Sequence, residues 1–248
     1  MNKFRAELHV HTVLSPCAEV EMIPPLIIQT ALDLGINLLA ITDHNCSANI
    51  PALMDAAVNS GITILPGMEL QTREEVHMLC IFDKPRQVFA LQQLIDPLLP
   101  PIENDPEHFG EQFVVDATGD FIRTEPRLLL TSASIGLDEA VLEVHRLGGL
   151  AIPAHVDRKA YGLINMLGFF PPETPFDAVE ISRFTTPETI SLLHHEIIKF
   201  PIIQSGDVHR LNEFMGKCIF ELESPTVEEM IKAFKSIGCR SFSLLQTS

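Results

Sequence analysis

The chain has 248 residues, of which 46% are hydrophobic, and its formal net charge is −16. This length suits one large α/β domain, and no run approaches the ~20 apolar residues of a membrane helix, so we expect no membrane contact. The overall negative field repels polyphosphate backbones, so we expect no long nucleic-acid partner. Scattered cysteines without a CxxC pair, and an N-terminus without a signal-peptide pattern, predict a cytoplasmic protein with reduced thiols.

The first part of the chain alternates short apolar strands with helices. The predicted strands are FRAELHV, NLLAIT, ITILPG and VHMLCIF. The predicted helices run from Pro24 to Gly35, from Ile50 to Ser60 and over residues 86–95. This alternation is typical of parallel strands joined by crossover helices.

The pattern changes between Pro97 and Ser134, where an acidic, proline-rich stretch precedes FVVDATGDFIRTE, which reads as two strands around a turn. We interpret residues 97–134 as an insertion in a single domain. The alternation then resumes with a helix from Asp138 to Leu147, the strand LAIPAH, the strand AVEIS, a helix through LLHHEII, the strand PIIQS and the helix VEEMIKAFKSI.

Metal-binding residue types fall near the ends of most predicted strands. His9 and His11 share one face of the first strand, although a lone HxH is more typical of an ordinary half-buried strand than of a metal site. Residues of these types also lie near the ends of later predicted strands: Asp43, His44, Glu69, His77, His155, Asp207 and His209. In a parallel α/β barrel these ends meet on one face. Imidazole and carboxylate ligands without thiolate favour Zn, Mn or Fe.

The ordered set LHVHT, ITDHN, PGMEL, EVHML, IPAH and SGDVH resembles the PHP (polymerase and histidinol phosphatase) family of metal-dependent phosphoesterases over most of the chain. The resemblance implies an α/β fold, a distorted (β/α)7 TIM-like barrel. It also implies two or three divalent ions and hydrolysis of a phosphate ester by a metal-bound hydroxide.

The resemblance further assigns residues to three ion positions. The first would be formed by His9, His11, Glu69 and Asp207. Glu69 would bridge to the second, which is completed by His77 and His155. The third would be formed by His44 and His209. Asp43 is expected to assist catalysis as a hydrogen-bond partner of a ligating imidazole and not as a ligand.

Two positions depart from the family pattern. Glu7 stands where an aspartate is frequent. The loop SPCAE lacks the aspartate or histidine that completes the third ion position in many relatives. Cys17 or Glu19 could replace it, or the third ion is weak or absent, and we favour Cys17 as a neighbouring thiol without a ligand role.

A basic residue should contact the phosphate, because a guanidinium matches its oxygens in geometry and charge. Arg183, after the strand AVEIS, is the preferred catalytic residue of this kind, with Arg158 and then Arg73 as alternatives. The chain has no G-x-S-x-G elbow or P-loop, so the nucleophile is expected to be water. The histidines expected not to bind metal are His108, His145, His194 and His195.

The leading hypothesis is a phosphoesterase that acts on a small phosphorylated metabolite or nucleotide. One alternative is an exonuclease that trims oligonucleotides. It would need a basic and aromatic track, whereas Tyr161 is the only tyrosine and tryptophan is absent. A second alternative is a catalytically silent, metal-stabilised structural or regulatory module. The sequence carries no signal for an oligomeric state.

Overall fold

A computed structural model describes residues 1–245 of the chain. The strands are β1 (Asn2–Val10), β2 (Leu38–Ile41), β3 (Thr63–Gln71), β4 (His77–Ile81), β5 (Phe113–Val115), β6 (Phe121–Thr124), β7 (Leu150–Pro153), β8 (Val179–Ile181), β9 (Ile202–Gln204), β10 (Cys218–Leu222) and β11 (Ser241–Leu244). The helices are α1 (Pro24–Asp33), α2 (Ile50–Ala56), α3 (Pro85–Ile95), α4 (Pro106–Phe109), α5 (Leu137–Arg146), α6 (Leu163–Leu167), α7 (Pro187–Leu193) and α8 (Val227–Phe234).

Seven strands form one curled sheet in the order β11-β10-β1-β2-β3-β4-β7, and β8 and β9 form a separate parallel pair. Backbone hydrogen bonds from Asp177 to Ala151 and from Val156 to Glu180 join this pair to the β7 side. On the other side, Val208 exchanges backbone hydrogen bonds with His9 and His11. The pair thereby spans the gap between β7 and β1, which confirms the α/β class and gives the distorted barrel that the sequence predicted.

The strand β1 has two neighbours along its outer edge. Its first half pairs with β10, from Asn2 opposite Leu222 to Ala6 opposite Cys218. Its second half instead forms a bridge from Val10 to Val208. This change of partner brings the segment after β9 against the HxH segment, which would otherwise be covered by β10.

The prediction that the strands are all parallel is wrong for β4, which pairs antiparallel with both β3 and β7. Only residues 72–76 connect β3 to β4, and the Thr72 N–H donates to the Val76 carbonyl within this turn. Because a parallel crossover needs a dozen or more residues, so short a connection can only form a hairpin. His77 therefore starts its strand, and the reversal brings it to the barrel end where β3 finishes.

Two further features of the fold differ from what the sequence predicted. The strands β10 and β11 were not predicted, although their alternating apolar residues pack against α8. The helix predicted through LLHHEII ends at Leu193, because His194 leaves helical geometry with φ −137° and a 3-10 turn follows over His195–Lys199.

The interior of the barrel is apolar at one end and polar at the other. The apolar end is filled by a cluster that includes Leu38, Leu65, Leu79, Leu150 and Ile203. Successive residues of a strand face opposite sides, so Glu69 and Leu65 lie on the same face of β3, and His77 and Leu79 share a face of β4. The side chains of the polar end therefore belong to the same inward-facing rows of strand residues as the apolar core.

The segment predicted as an insertion contains α4 and the antiparallel hairpin β5–β6, which confirms the two predicted strands. The Asn45 amide donates to the carbonyls of Leu129 and Thr131, both at 2.8 Å. Asn49 donates to the Phe113 carbonyl at 3.1 Å. The loop after β2 thus fastens this segment beside the polar end of the barrel. Within residues 1–245, no helix combines the length and apolar character needed to cross a bilayer.

The aromatic cluster between β10, β11 and α8 offers a test of the fold. Phe220 is fully buried and its ring packs against Phe234 and Phe242. We expect Phe220→Ala to lower the free energy of unfolding by about 3–5 kcal/mol, because truncation leaves a cavity. Denaturant titration would measure the loss. Phe184→Ala is the matched control, since its ring is exposed, and an equal loss in both variants would contradict this packing.

Candidate metal centre

The Glu69 carboxylate lies at the centre of the polar end, fully buried among five imidazoles. Its Oε1 atom is 2.9 Å from His77 Nδ1, 3.2 Å from His155 Nε2 and 3.3 Å from His9 Nε2. Its Oε2 atom is 2.9 Å from His44 Nδ1 and 3.3 Å from His11 Nε2. One carboxylate thus faces two groups of imidazoles, as a bridging ligand would.

Asp207 approaches the same cluster from the segment after β9. Its Oδ1 atom is 3.3 Å from His9 Nε2, 3.5 Å from His11 Nε2 and 3.3 Å from His209 Nδ1. Ligands of one tetrahedral ion bound at 2.0–2.1 Å are themselves about 3.4 Å apart. The spacing of these atoms is therefore that of groups that can share an ion.

Hydrogen bonds fix the proton positions on His9 and His11. His9 Nδ1 lies 2.8 Å from a Glu180 carboxylate oxygen, to which it donates. The Ser15 hydroxyl gives its single proton to Asp43 at 2.7 Å, so it can only accept from His11 Nδ1 at 2.9 Å. In the neutral rings both Nε2 atoms therefore present lone pairs, and they lie 3.0 Å apart. Two lone pairs at this distance repel unless a proton or a metal ion lies between them.

Two unpartnered atoms also favour cations here. Glu69 Oε2 and His155 Nδ1 are buried without a hydrogen-bond partner. The 2.9 Å approach of His44 Nδ1 to Glu69 Oε2 lacks hydrogen-bond geometry. Buried polar atoms are normally paired, and these atoms are the nitrogen and oxygen donors that zinc and similar ions accept. The residues present fit divalent metal ions.

Within residues 1–245, three groups of side chains hold their ligand atoms close enough to share an ion. They are His9, His11 and Glu69; His44, Glu69 and His77; and His11, His44 and His209. All eight sequence-predicted ligands, the other two being His155 and Asp207, are thus gathered in one cluster. The groups overlap, so His11, His44 and Glu69 each belong to two of them.

Burial and neighbouring charges set the protonation of the cluster. Burial lowers the pKa of His77 to about 4 and that of His209 to about 2, which leaves both rings neutral and able to ligate. Burial opposes protonation of His44 as well, but Cys17 and Glu69 raise its pKa to about 9. For Glu69, the imidazoles of His77, His9 and His44 outweigh burial and hold the pKa well below its usual range. An ion that binds His44 must displace a proton.

The two residues considered for the third ion position differ in where they lie relative to the cluster. Cys17 lines the pocket above the cluster and its thiol faces His44. Glu19 instead accepts from Arg210 Nε at 2.6 Å on the surface. Of the two, only Cys17 adjoins the metal-binding side chains.

Asp43 and Glu7 act behind the cluster. Asp43 accepts from the Thr12 amide at 2.7 Å and the Thr12 hydroxyl at 2.8 Å, besides Ser15. It therefore supports His11 through Ser15 and makes no direct hydrogen bond to an imidazole of residues 1–245. Glu7 accepts backbone N–H groups of Gly206, Met215 and Gly216 at 2.6–2.7 Å. These bonds fasten the segment that carries Asp207 and His209, while burial raises the pKa of Glu7 to about 7.

A pocket of about 400 Å³ opens over the cluster, and Arg158, Arg183 and Arg210 contribute to its wall. Arg158 pairs with Asp207. Arg183 donates to Glu213 at 2.9 Å and to the Gly206 carbonyl at 3.3 Å. The predicted phosphate contacts Arg183 and Arg158 thus lie at the pocket, whereas Arg73 pairs with Glu74 elsewhere on the surface.

Sequence reasoning missed four residues of this site: Ser15, Glu180, Arg210 and Tyr161. Glu180 is a charged residue inside the apolar strand β8, and that pattern is the signal that could have identified it. Tyr161 lies in the pocket with its ring stacked on His77 at 4.4 Å between centroids. The other histidines lie apart, and His145 pairs with Asp177 at 2.9 Å.

Comparison with known proteins gives relatives that act on nucleic acids. The 5'-3' exoribonuclease Rnm of Salmonella typhimurium is 34% identical over 77 residues, which are 30% of this chain and 25% of that protein. The lesion-specific endonuclease PfuEndoQ of Pyrococcus furiosus has the same fold, with a TM-score of 0.70 at 19% identity over 97% of this chain. The alignment covers 58% of PfuEndoQ, so this chain spans only part of either relative.

These relatives contradict the expectation of a small phosphorylated substrate without a long nucleic-acid partner. A further similar structure is Endonuclease Q with a 27-mer duplex whose abasic lesion lies at the active site, with a TM-score of 0.68 at 19% identity over 95% of this chain and 57% of that one. The expectation was wrong because net charge describes the whole surface. The field at a pocket depends on the charges that line it, and here three arginines offset the three carboxylates Glu69, Asp207 and Glu213.

The family itself follows from a match over most of the chain. The model of the PHP domain matches residues 7–174, which include HxH, Glu69, His77 and His155. The barrel and the cluster of histidines and carboxylates agree with that match. The chain belongs to the PHP domain family of metal-dependent hydrolases.

Proposed function

We propose that this chain is a nuclease that hydrolyses phosphodiester bonds at the end of a single-stranded nucleic acid. Water adds to phosphorus, the bond from phosphorus to the leaving oxygen breaks, and the products are a phosphomonoester and a hydroxyl group. The observation that carries the proposal is the Glu69 carboxylate, buried among five imidazoles beneath an arginine-lined pocket.

In this proposal the ligands are those expected from the sequence. His9, His11, Glu69 and Asp207 would hold one ion, Glu69 with His77 and His155 would hold a second, and His44 and His209 would hold a third. Such ions neutralise phosphate oxygens and lower the pKa of water. Their number and element are part of the proposal, with zinc, manganese or iron suited to these nitrogen and oxygen donors.

The chain's own residues orient this cluster and the substrate. Glu180 and Ser15 hold the Nδ1 protons of His9 and His11, which directs both Nε2 lone pairs inward. We expect Arg183 and Arg158 to contact a phosphate, because both line the pocket and a guanidinium suits phosphate oxygens.

The size of the pocket supports an end-trimming activity. About 400 Å³ is at the lower end of the range for small-ligand sites, which gives room for a terminal nucleotide. The similarity to an exoribonuclease also supports this choice, and favours RNA over DNA.

Removing the central carboxylate charge tests the metal centre. We expect Glu69→Gln to lose at least one ion per chain and more than about 100-fold in activity, which exceeds the usual effect of changing a residue behind a ligand. Plasma mass spectrometry would count the ions. Gel-resolved cleavage of end-labelled RNA and DNA oligonucleotides would measure activity.

The matched control is Glu228→Gln, whose side chain is 77% exposed on α8 and should leave both readouts unchanged. A full ion content in Glu69→Gln would contradict the bridging assignment. If ion-loaded wild-type protein cleaves no oligonucleotide, the proposed nuclease activity is contradicted. The alternative of a catalytically silent structural module would then be favoured.

Glu180 provides a test of how the ligands are oriented. Glu180→Gln keeps the size of the side chain but removes the negative charge that attracts the His9 Nδ1 proton. We expect ion affinity or activity to fall about 10- to 100-fold, measured by competition with a chelating dye. Unchanged affinity and activity would show that His9 needs no acidic partner.

A further inference from the structure

Phe184 is the most exposed large hydrophobic side chain of residues 1–245, at 78% of its maximal surface. Exposure of so much apolar surface is unfavourable in water. The ring is not at a remote edge of the protein. It lines a small crevice that shares His155, Arg158, Arg183 and Asp207 with the wall of the pocket over the metal-binding cluster.

The surrounding hydrogen bonds hold Phe184 in this position. The Ser182 hydroxyl accepts from the Phe184 amide at 3.2 Å and donates to Asp157 at 2.6 Å. The Arg183 guanidinium lies 5.1 Å from the centroid of the ring, within the range of a cation–π contact. Glu213 and the Gly206 carbonyl hold that guanidinium in turn. One side of the ring therefore has a fixed cation, and most of its surface faces solvent.

Tyr161 has a similar arrangement within the pocket. Its ring lies parallel to His77 within 7° and remains 42% exposed. Its backbone adopts φ +60°, a conformation unfavourable for a tyrosine that must be held by the surrounding structure. The Met166 sulfur accepts a hydrogen bond from the Tyr161 amide, and the Tyr161 carbonyl accepts one from the His77 amide. The pocket thus contains an aromatic ring as well as one at its rim.

Aromatic rings beside arginines match the two parts of a nucleotide. The guanidinium groups suit the phosphate, and the ring face suits a base, since every base has a flat π-face. A paired base is already stacked between its neighbours, so only an unpaired base can use the ring fully. The single-stranded substrate of the proposed function provides such a base.

We propose that Phe184 is a stacking platform for an unpaired nucleobase next to the scissile phosphate. This inference rests on the proposed nuclease function and adds the way in which that function selects single strands. Arg183, beneath the ring, links the two contacts because it can approach the phosphate while it supports the aromatic face.

The test compares wild-type protein with Phe184→Ala and Phe184→Tyr. The substrates are a single-stranded RNA oligonucleotide and the same strand with an abasic residue beside the cleaved bond. We expect Phe184→Ala to lower kcat/KM on the intact strand by about 5- to 150-fold, the range for removal of one stacking ring. Phe184→Tyr should retain activity. On the abasic strand, wild type and Phe184→Ala should be equal.

Phe169→Ala is the matched control, because Phe169 is 60% exposed and lies outside the pocket. A binding measurement without turnover uses chelator-treated protein and an oligonucleotide with terminal 2-aminopurine, whose fluorescence falls on stacking. Equal quenching by wild type and Phe184→Ala, or the same loss of kcat/KM on intact and abasic strands, would overturn the platform.

The two proposals fail in different ways. Quenching that requires Phe184, without hydrolysis by ion-loaded protein, would overturn the nuclease and support the platform. Hydrolysis that does not depend on Phe184 would overturn the platform alone. The absence of both quenching and hydrolysis would overturn both proposals.

Discussion

The structure of the polar end depends on one buried carboxylate, Glu69, facing five imidazoles. An ionised carboxylate inside a protein is costly unless charge or hydrogen bonds compensate it. The imidazoles hold the pKa of Glu69 low, and the crowding of lone pairs at 3.0–3.3 Å makes divalent ions the natural complement of the site. The barrel is what makes this crowding possible, because several strands end within one small volume.

The hydrogen-bond partners of the candidate ligands are arranged as specifically as the ligands themselves. Asp43 sets the direction of the Ser15 hydroxyl, which sets the tautomer of His11. Glu180 does the same for His9. Glu7 fastens the backbone on both sides of the segment that carries Asp207 and His209. These hydrogen bonds hold the candidate ligands in position, which would reduce the cost of ordering them around an ion.

The pocket shows why the net charge and composition of the whole chain are poor guides to its substrate. A net charge of −16 predicts repulsion of nucleic acid, yet three arginines and Tyr161 line the pocket above the cluster, and Phe184 lines the crevice beside it. The same residues explain why the absence of tryptophan and the single tyrosine were weak evidence against a nuclease. One tyrosine in the pocket and one phenylalanine at its rim provide aromatic surface where a substrate would lie.

The sequence alone determined the α/β class, the position of most strands and all eight candidate ligands, because residue type and local periodicity are properties of neighbouring residues. Tertiary structure decided the direction of β4, the pairing of β10 and β11, and the positions of Glu180, Ser15, Arg210 and Phe184 at the site. These depend on contacts between distant segments, such as Glu180 with His9, separated by 171 positions. No local pattern specifies which buried glutamate meets which histidine; only closure of the barrel brings them together.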